Sequence, residues 1–289
     1  MRHRLIYLNG RLVGENTLHI SALDRGFTLG DGVFDTMRAV GGRVFRLEDH
    51  LSRLECAART IGIQMPVESP ELARAISTVL EANRLADALV RVTLSRGVPA
   101  ERGLLPPASP SPSLIVIATA FTEYPREWYE KGYRTVTSQI RRNASSPLSR
   151  IKSCNYLDSV LARMEASVLG AEEAILINTS GDLACGASSN VFLVRGGTLV
   201  TPSLESGILD GITRRTVLEL AAQLGFAHSQ RPVRPEEMDL AQEIFVTNTA
   251  VGIMPVVAID GRPVGRGSTD PSLSARLREA YSELLTHID

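Results

Sequence analysis

Lys152 is the residue whose type and setting speak most directly of chemistry. The 289-residue sequence contains 31 basic side chains, and only Lys131 and Lys152 among them are lysines; the rest are arginines. A chain that uses arginine almost wherever it wants positive charge keeps this lysine just ahead of an apolar helical run, Tyr156 to Leu169. A primary amine can lose its proton and attack a carbonyl to form a Schiff base, which a guanidinium cannot do. The alternative is a surface lysine retained by chance, the reading that suits Lys131 in the polar turn Tyr129 to Gly132.

Other stretches offer seats for an anion. The loop from Gly207 to Gly211 opens a helix expected over Thr213 to Leu224, and a helix start preceded by glycine is a natural phosphate seat. Thr213 reads equally well as a plain N-cap. Thr247, Asn248 and Thr249 follow the strand that begins at Glu243 and add further donors for a phosphate. The small residues Ala184 to Asn190 leave amides and hydroxyls open to a ligand. In the first half, His50 and Arg53 lie three apart on a helix starting at Leu47 and share a face, which by itself reads as a solvated surface. Arg96 and Arg102 sit in a glycine- and proline-rich loop, Ser95 to Pro107. They either ride in solvent or present a fork to a carboxylate.

The elements that must position these groups alternate between strand and helix signals. Asn9-Gly10 between two apolar runs reads as a type I′ hairpin. Gly26, Gly30 and Gly32 imply a bent loop before a strand over Val33 to Ala39, without the G-x-G-x-x-G spacing of a dinucleotide loop. Helix Pro70 to Asn83 and strands Ala88 to Ser95 and Leu114 to Ala120 follow, with a turn around Ser109. The polar stretch 121–128 is the expected linker between a small domain, 1–120, and a larger one, 129–289. Beyond it come strands Tyr133 to Gln139, Glu173 to Asn178 and Thr198 to Thr201. The chain closes on an amphipathic helix, Ser272 to His287.

Composition narrows the classes. With 44% hydrophobic and 22% charged residues and a formal net charge of −1, neither nucleic acid nor an anionic membrane is an expected partner. No apolar run reaches the roughly 18 residues of a membrane span. The first residues run into a strand, not a signal-peptide core, and three unspaced cysteines suit a reducing compartment, so a cytoplasmic enzyme is expected. Five scattered histidines give no metal site.

Together, Lys152 to Leu157 (K-S-C-N-Y-L), Ser188 to Phe192 (S-S-N-V-F), Gly207 to Arg214 (G-I-L-D-G-I-T-R) and Thr247 to Thr249 (T-N-T) resemble the class IV aminotransferases. This family includes branched-chain and D-amino-acid aminotransferases and 4-amino-4-deoxychorismate lyases. The resemblance implies pyridoxal 5′-phosphate as cofactor and the two-domain fold type IV, an α+β or α/β architecture like that of D-amino-acid aminotransferase, assembled as a homodimer. It also implies roles. Lys152 would carry the internal aldimine and move the Cα proton. Arg53, the Ile212 and Thr213 amides, Asn248 and Thr249 would bind the cofactor phosphate. Tyr156 would lie near the phenolic oxygen, with Cys185, Ser188, Ser189, Asn190 and Leu209 completing the cofactor site. Phe34, Ala250, Arg96 and Arg102 would meet the substrate.

One position departs from the family pattern. Where relatives carry a glutamate that bonds the protonated pyridine nitrogen, this chain has Cys185. A carboxylate favours the charged ring, and a neutral thiol supplies no such charge. The expected activities are therefore two: an aminotransferase moving nitrogen between an amino acid and a 2-oxo acid, and the lyase that forms 4-aminobenzoate and pyruvate. The Ser95-Arg96-Gly97 loop and the Thr247 to Pro255 stretch also look lyase-like. A protein that has lost catalysis and only binds the cofactor is disfavoured by the retained Lys152.

Overall fold

The computed structural model describes residues 4–101, 103–106, 111–265 and 272–288. The chain forms two compact units. The first comprises the residues up to Thr122, together with Ile151–Asn155 and Ile288; the second comprises Glu123–Arg150 and Tyr156–His287. Lys152 therefore folds with the first unit.

The first unit holds six strands: β1 (Leu5–Leu8), β2 (Arg11–Gly14), β3 (Gly32–Val40), β4 (Arg43–Val44), β5 (Ala88–Ser95) and β6 (Ser113–Ala120). They form one sheet in the order β2-β1-β6-β5-β3-β4, antiparallel throughout. Asn9 and Gly10 both take positive φ, 46° and 89°, as a type I′ turn requires. After the short α1 (Arg25–Leu29), the long helices are α2 (Leu47–Thr60) and α3 (Ser69–Asn83). Each helix carries an apolar stripe at helical spacing: Leu51, Leu54 and Ala58 on α2, and Leu72, Ile76 and Val79 on α3. These pack with Met37, Val90, Val92 and Val116 of the sheet into one core.

The second unit begins with α4 (Arg126–Lys131), so the second half of the stretch expected as linker is helical, as is most of the turn expected at Tyr129 to Gly132. Pro125 supplies the fixed backbone angle at its start, and Gly132, at φ 63°, ends it. There follow β7 (Tyr133–Arg142), α5 (Leu157–Val168), β8 (Glu173–Asn178), β9 (Leu183–Gly186), β10 (Asn190–Arg195) and β11 (Thr198–Pro202). Then come α6 (Ile212–Gln223), β12 (His228–Arg231), β13 (Glu243–Asn248), β14 (Gly252–Ile259), β15 (Arg262–Pro263) and α7 (Leu273–Thr286). The sheet runs β12-β11-β10-β13-β14-β7-β8-β9, with β15 on β14. β8 is buried along its whole length, as a strand inside a wide sheet with covered faces must be. Among the described residues no helix is long and apolar enough to cross a membrane.

Candidate functional site

In the first unit, Lys152 is placed by backbone pairing. β4 pairs with β3 only at Ala39 and Val40, which leaves the Gly32–Phe34 end of β3 with an edge that Ile151–Asn155 fills. Phe34 N donates to Lys152 O at 2.8 Å, Cys154 N donates to Gly32 O at 2.8 Å, and Val33 bridges Ser153 in antiparallel register. Asn155 adds a side-chain bond to Gly30 O at 3.1 Å. The half-buried lysine directs its amine over the Phe34 ring, 4.7 Å from the centroid, while the Arg91 guanidinium lies 3.7 Å from the same centroid.

Beside it lies a buried ionic group. Asp35 is fully buried in β3 and accepts from Arg53 through both oxygens, each at 2.8 Å, and from His50 Nδ1 at 2.9 Å. An ionised carboxylate can only accept, so Nδ1 carries the proton of His50. Burial alone would raise the Asp35 pKa, but the Arg53 charge and the bonds from His50 and Arg53 outweigh it and hold the carboxyl well below the usual range. Burial pushes His50 the other way, below its ordinary value, and the neutral ring is the resident form. The face that carries His50 and Arg53, expected to be solvated, is thus turned inward; the reason is Asp35, a charge in the apolar strand Val33 to Met37 that demands partners.

Arg96 is also buried, and four of its five N–H donors are engaged. Nε and Nη2 reach the two Asp31 oxygens at 2.8 and 3.0 Å, and the remaining bonds go to the carbonyls of Ile61 and Gly62. Arg25 donates to the same Asp31 at 2.7 Å. The carboxylate that the Arg96 fork meets within the chain is that of Asp31. Arg102 and the turn expected around Ser109 lie outside the described residues.

In the second unit, α6 starts one residue earlier than expected. Gly211 is its N-cap, without a side-chain cap, and Thr213 lies inside the first turn, not at the cap. The first-turn amides of Ile212 and Thr213 thus meet no capping side chain. Asn190 Nδ2 holds Leu209 O just before this helix, at 2.9 Å. The Asn248 side chain organises its own turn, accepting from the amides of Ala250 and Val251 at 2.9 Å each. Thr249 and Ala250 form the half-buried turn itself, and Tyr156 is the half-buried N-cap residue of α5. Thr247 is 1% exposed, and its hydroxyl finds no hydrogen-bond partner. Cys185 lies in β9 opposite Leu176, and burial pushes its thiol up, so it stays protonated at neutral pH. The hydroxyls of Ser188 and Ser189, expected to lie open to a ligand, instead donate to Glu173 at 3.1 and 2.9 Å. Asp35 and Glu173 were not singled out from sequence. The available signal was a charged residue within, or opening, an apolar strand.

A family model described as "Amino-transferase class IV" matches residues 32–259. The branched-chain-amino-acid aminotransferase of Pseudomonas aeruginosa is 31% identical over 292 residues, covering 99% of this chain and 94% of that protein. The aminodeoxychorismate lyase of Bacillus subtilis is 31% identical over 281 residues, covering 96% and 94%. Among solved structures, the T.th. branched-chain amino acid aminotransferase with pyridoxamine 5′-phosphate superposes with a TM-score of 0.93 at 32% identity, covering 99% of this chain and 95% of that one.

The Asp35 group sets an acid sensitivity. Because the folded pKa of Asp35 lies below its ordinary 3.8, its contribution to stability is complete above about pH 4 and is lost as pH falls through the folded value. His50, lowered from 6.5, loses its contribution earlier on the same side. Asp35→Asn, which removes the buried carboxylate that Arg53 and His50 hold, should cost roughly 3–5 kcal/mol. Urea unfolding across pH 3 to 7 should show that loss at neutral pH and a flattened decline below about pH 4.

Proposed function

The chain belongs to the class IV aminotransferases, whose cofactor is pyridoxal phosphate, and from that premise we propose that it moves an amino group between an amino acid and a 2-oxo acid, with Lys152 as its catalytic amine. The observation that carries this reading is the pairing of Lys152 to β3, which fixes the backbone of a rare lysine while leaving its amine on the Phe34 ring face.

The residues present fit the cofactor. An uncapped start of the twelve-residue helix α6 offers amides and the positive end of a helix dipole to a phosphate. The buried Thr247 hydroxyl without a protein partner is a donor available to the same kind of group. When bound, pyridoxal phosphate supplies an electron sink for the pair left when the substrate Cα–H bond breaks.

Within the first unit, Lys152 Nζ is the amine that would hold the cofactor, and it would accept and return the substrate Cα proton. Arg53, held by Asp35, gives a fixed positive charge to the phosphate, and Phe34 shapes the substrate side. Within the second unit, Ile212, Thr213, Asn248 and Thr249 are the phosphate residues. Tyr156, Cys185, Ser188, Ser189, Asn190 and Leu209 surround the rest of the cofactor, and Ala250 borders the substrate. The domain division proposed with this reading is a small domain, 1–120, a linker, 121–128, and a larger domain, 129–289, with Ile151–Asn155 grouped with the first unit.

Cys185 favours a second reading. A buried, protonated thiol supplies no charge to keep the ring nitrogen protonated, which weakens the electron sink that transamination needs. An elimination that releases an aromatic product is less dependent on that sink, so the alternative is 4-amino-4-deoxychorismate lyase, giving 4-aminobenzoate and pyruvate.

A cytoplasmic homodimer completes the proposal. Leu157, Val160, Leu161, Met164 and Val168 make an exposed apolar stripe along α5, with exposures from 46% to 87%, and a stripe of this kind supports self-association. Light scattering should give about twice the 31.3 kDa chain mass; a monomer at micromolar concentration would count against the dimer.

Single-turnover absorbance with L- and D-amino acids and aminodeoxychorismate separates the two readings. Conversion of the cofactor to its amine form by an amino acid supports the transaminase, and pyruvate release from aminodeoxychorismate supports the lyase. Borohydride reduction should add the cofactor mass to the wild-type chain and not to Lys152→Ala, whose turnover should fall at least about 10³-fold. Cys185→Glu should speed the amino-acid half-reaction about tenfold, and an unchanged or slower rate would remove the argument from Cys185.

A further inference from the structure

Glu173 opens β8, a strand buried from end to end, and is itself 3% exposed. The partners of Oε2 come from one turn. Oε2 accepts from the Ser189 hydroxyl at 2.9 Å, the Ser188 hydroxyl at 3.1 Å and the Ser188 amide at 3.4 Å. Oε1 accepts from the Ala174 amide at 2.9 Å, with Arg163 Nη1 at 3.8 Å. The turn it grips is closed on itself by Gly186 N donating to Ser189 O at 2.8 Å. A Cβ at Gly186 would overlap the Ser189 hydroxyl that Glu173 holds and would lie 3.2 Å from the Glu173 carboxyl carbon.

Two bonds lead outward from this turn. Asn190, next to Ser189, donates to Leu209 O at 2.9 Å, two residues before the Gly211 N-cap of α6. Asn248 donates to Ser188 O at 3.3 Å, and its Oδ1 at the same time holds the amides of Ala250 and Val251. β10 and β13 add a backbone register that sets Asn190 opposite Thr247. The start of α6 and the 247–250 turn, which are far apart in the chain, are thus both tied to the Gly186–Asn190 turn, and that turn is tied to Glu173.

We propose that Glu173 is a positioning residue for the phosphate end of the cofactor: by fixing the Gly186–Asn190 turn it sets the spacing between the α6 amides and the 247–250 turn. It acts through Asn190 and Asn248 and touches no phosphate donor itself. The inference rests on the functional reading above, in which those two segments receive the phosphate. The carboxylate is required because the donors arrive on both of its oxygens. An amide keeps one acceptor and turns an NH₂ either on the two serines or on the Ala174 amide and Arg163.

The test compares two probes on the full chain freed of bound cofactor: pyridoxal phosphate, and pyridoxal, which has the same ring and aldehyde without the phosphate. In Glu173→Gln the dissociation constant for pyridoxal phosphate should rise about tenfold, and that for pyridoxal should stay within about twofold of wild type. A general loss of packing would weaken both probes alike, so equal losses would overturn the proposal, as would unchanged binding of pyridoxal phosphate. Should Glu173→Gln fail to fold, Glu173→Asp keeps the charge and draws the carboxylate back from the two serines. Its affinity for pyridoxal phosphate alone should fall about threefold, and no phosphate-selective loss there would also overturn the proposal. A wild-type chain that takes up neither probe would overturn the functional reading and this inference with it, whereas normal wild-type uptake with an unaffected variant would overturn the inference alone.

Discussion

A charge in an apolar interior must be surrounded by partners or it will not stay charged, and Asp35 shows what that constraint does to a fold. The carboxylate has no exposure to solvent, so β3 can be buried only where α2 brings Arg53 and His50 onto it. The ion pair thereby fixes the turn of α2 around its axis and directs the Arg53 guanidinium. The same demand is met at Asp31 by Arg25 and Arg96, and at Glu173 by the serine turn. In each case an acid of one element dictates where polar groups of another must lie.

Lys152 answers a different constraint. A strand with an unfilled edge exposes amides and carbonyls that need pairing, and Ile151–Asn155 supplies them at the Gly32 end of β3. The backbone of the lysine is held as firmly as a strand, while its side chain keeps several rotatable bonds. That division suits the role proposed for this amine. Phe34, carried by the same strand, lies under the amine, so strand register sets both together.

Cys185 shows how local environment sets chemical character. It lies in β9 within a buried sheet, and with so little water near it the thiolate is disfavoured. Arg142 works against that shift, but its guanidinium is occupied with the carbonyls of Gly207 and Ser149. Within a fold shared with the family, this position carries a neutral thiol. Family membership and reaction preference are therefore separate questions in this chain.

Features encoded in neighbouring residues were legible from sequence. Asn9-Gly10 specified its turn because two successive positive φ angles suit few other residues. Helices α2, α3 and α7 were legible from their periodicity. The ordered set of short motifs also carried the family. What the sequence could not supply was the identity of long-range partners. Asp35 and Arg53 are 18 residues apart, Asp31 and Arg96 are 65 apart, and Glu173 meets Ser189 across 16. A residue's type states what bond it can make, whereas which bond it does make depends on what the folded backbone brings within about 3 Å. That is why Arg96 read as a fork for a ligand and is a buried structural clamp. It is also why the face of His50 and Arg53 read as solvated and lies against a buried carboxylate. The sequence by itself determined the family; the tertiary structure decided which charges are spent on the fold, because burial and pairing are properties of the assembled chain.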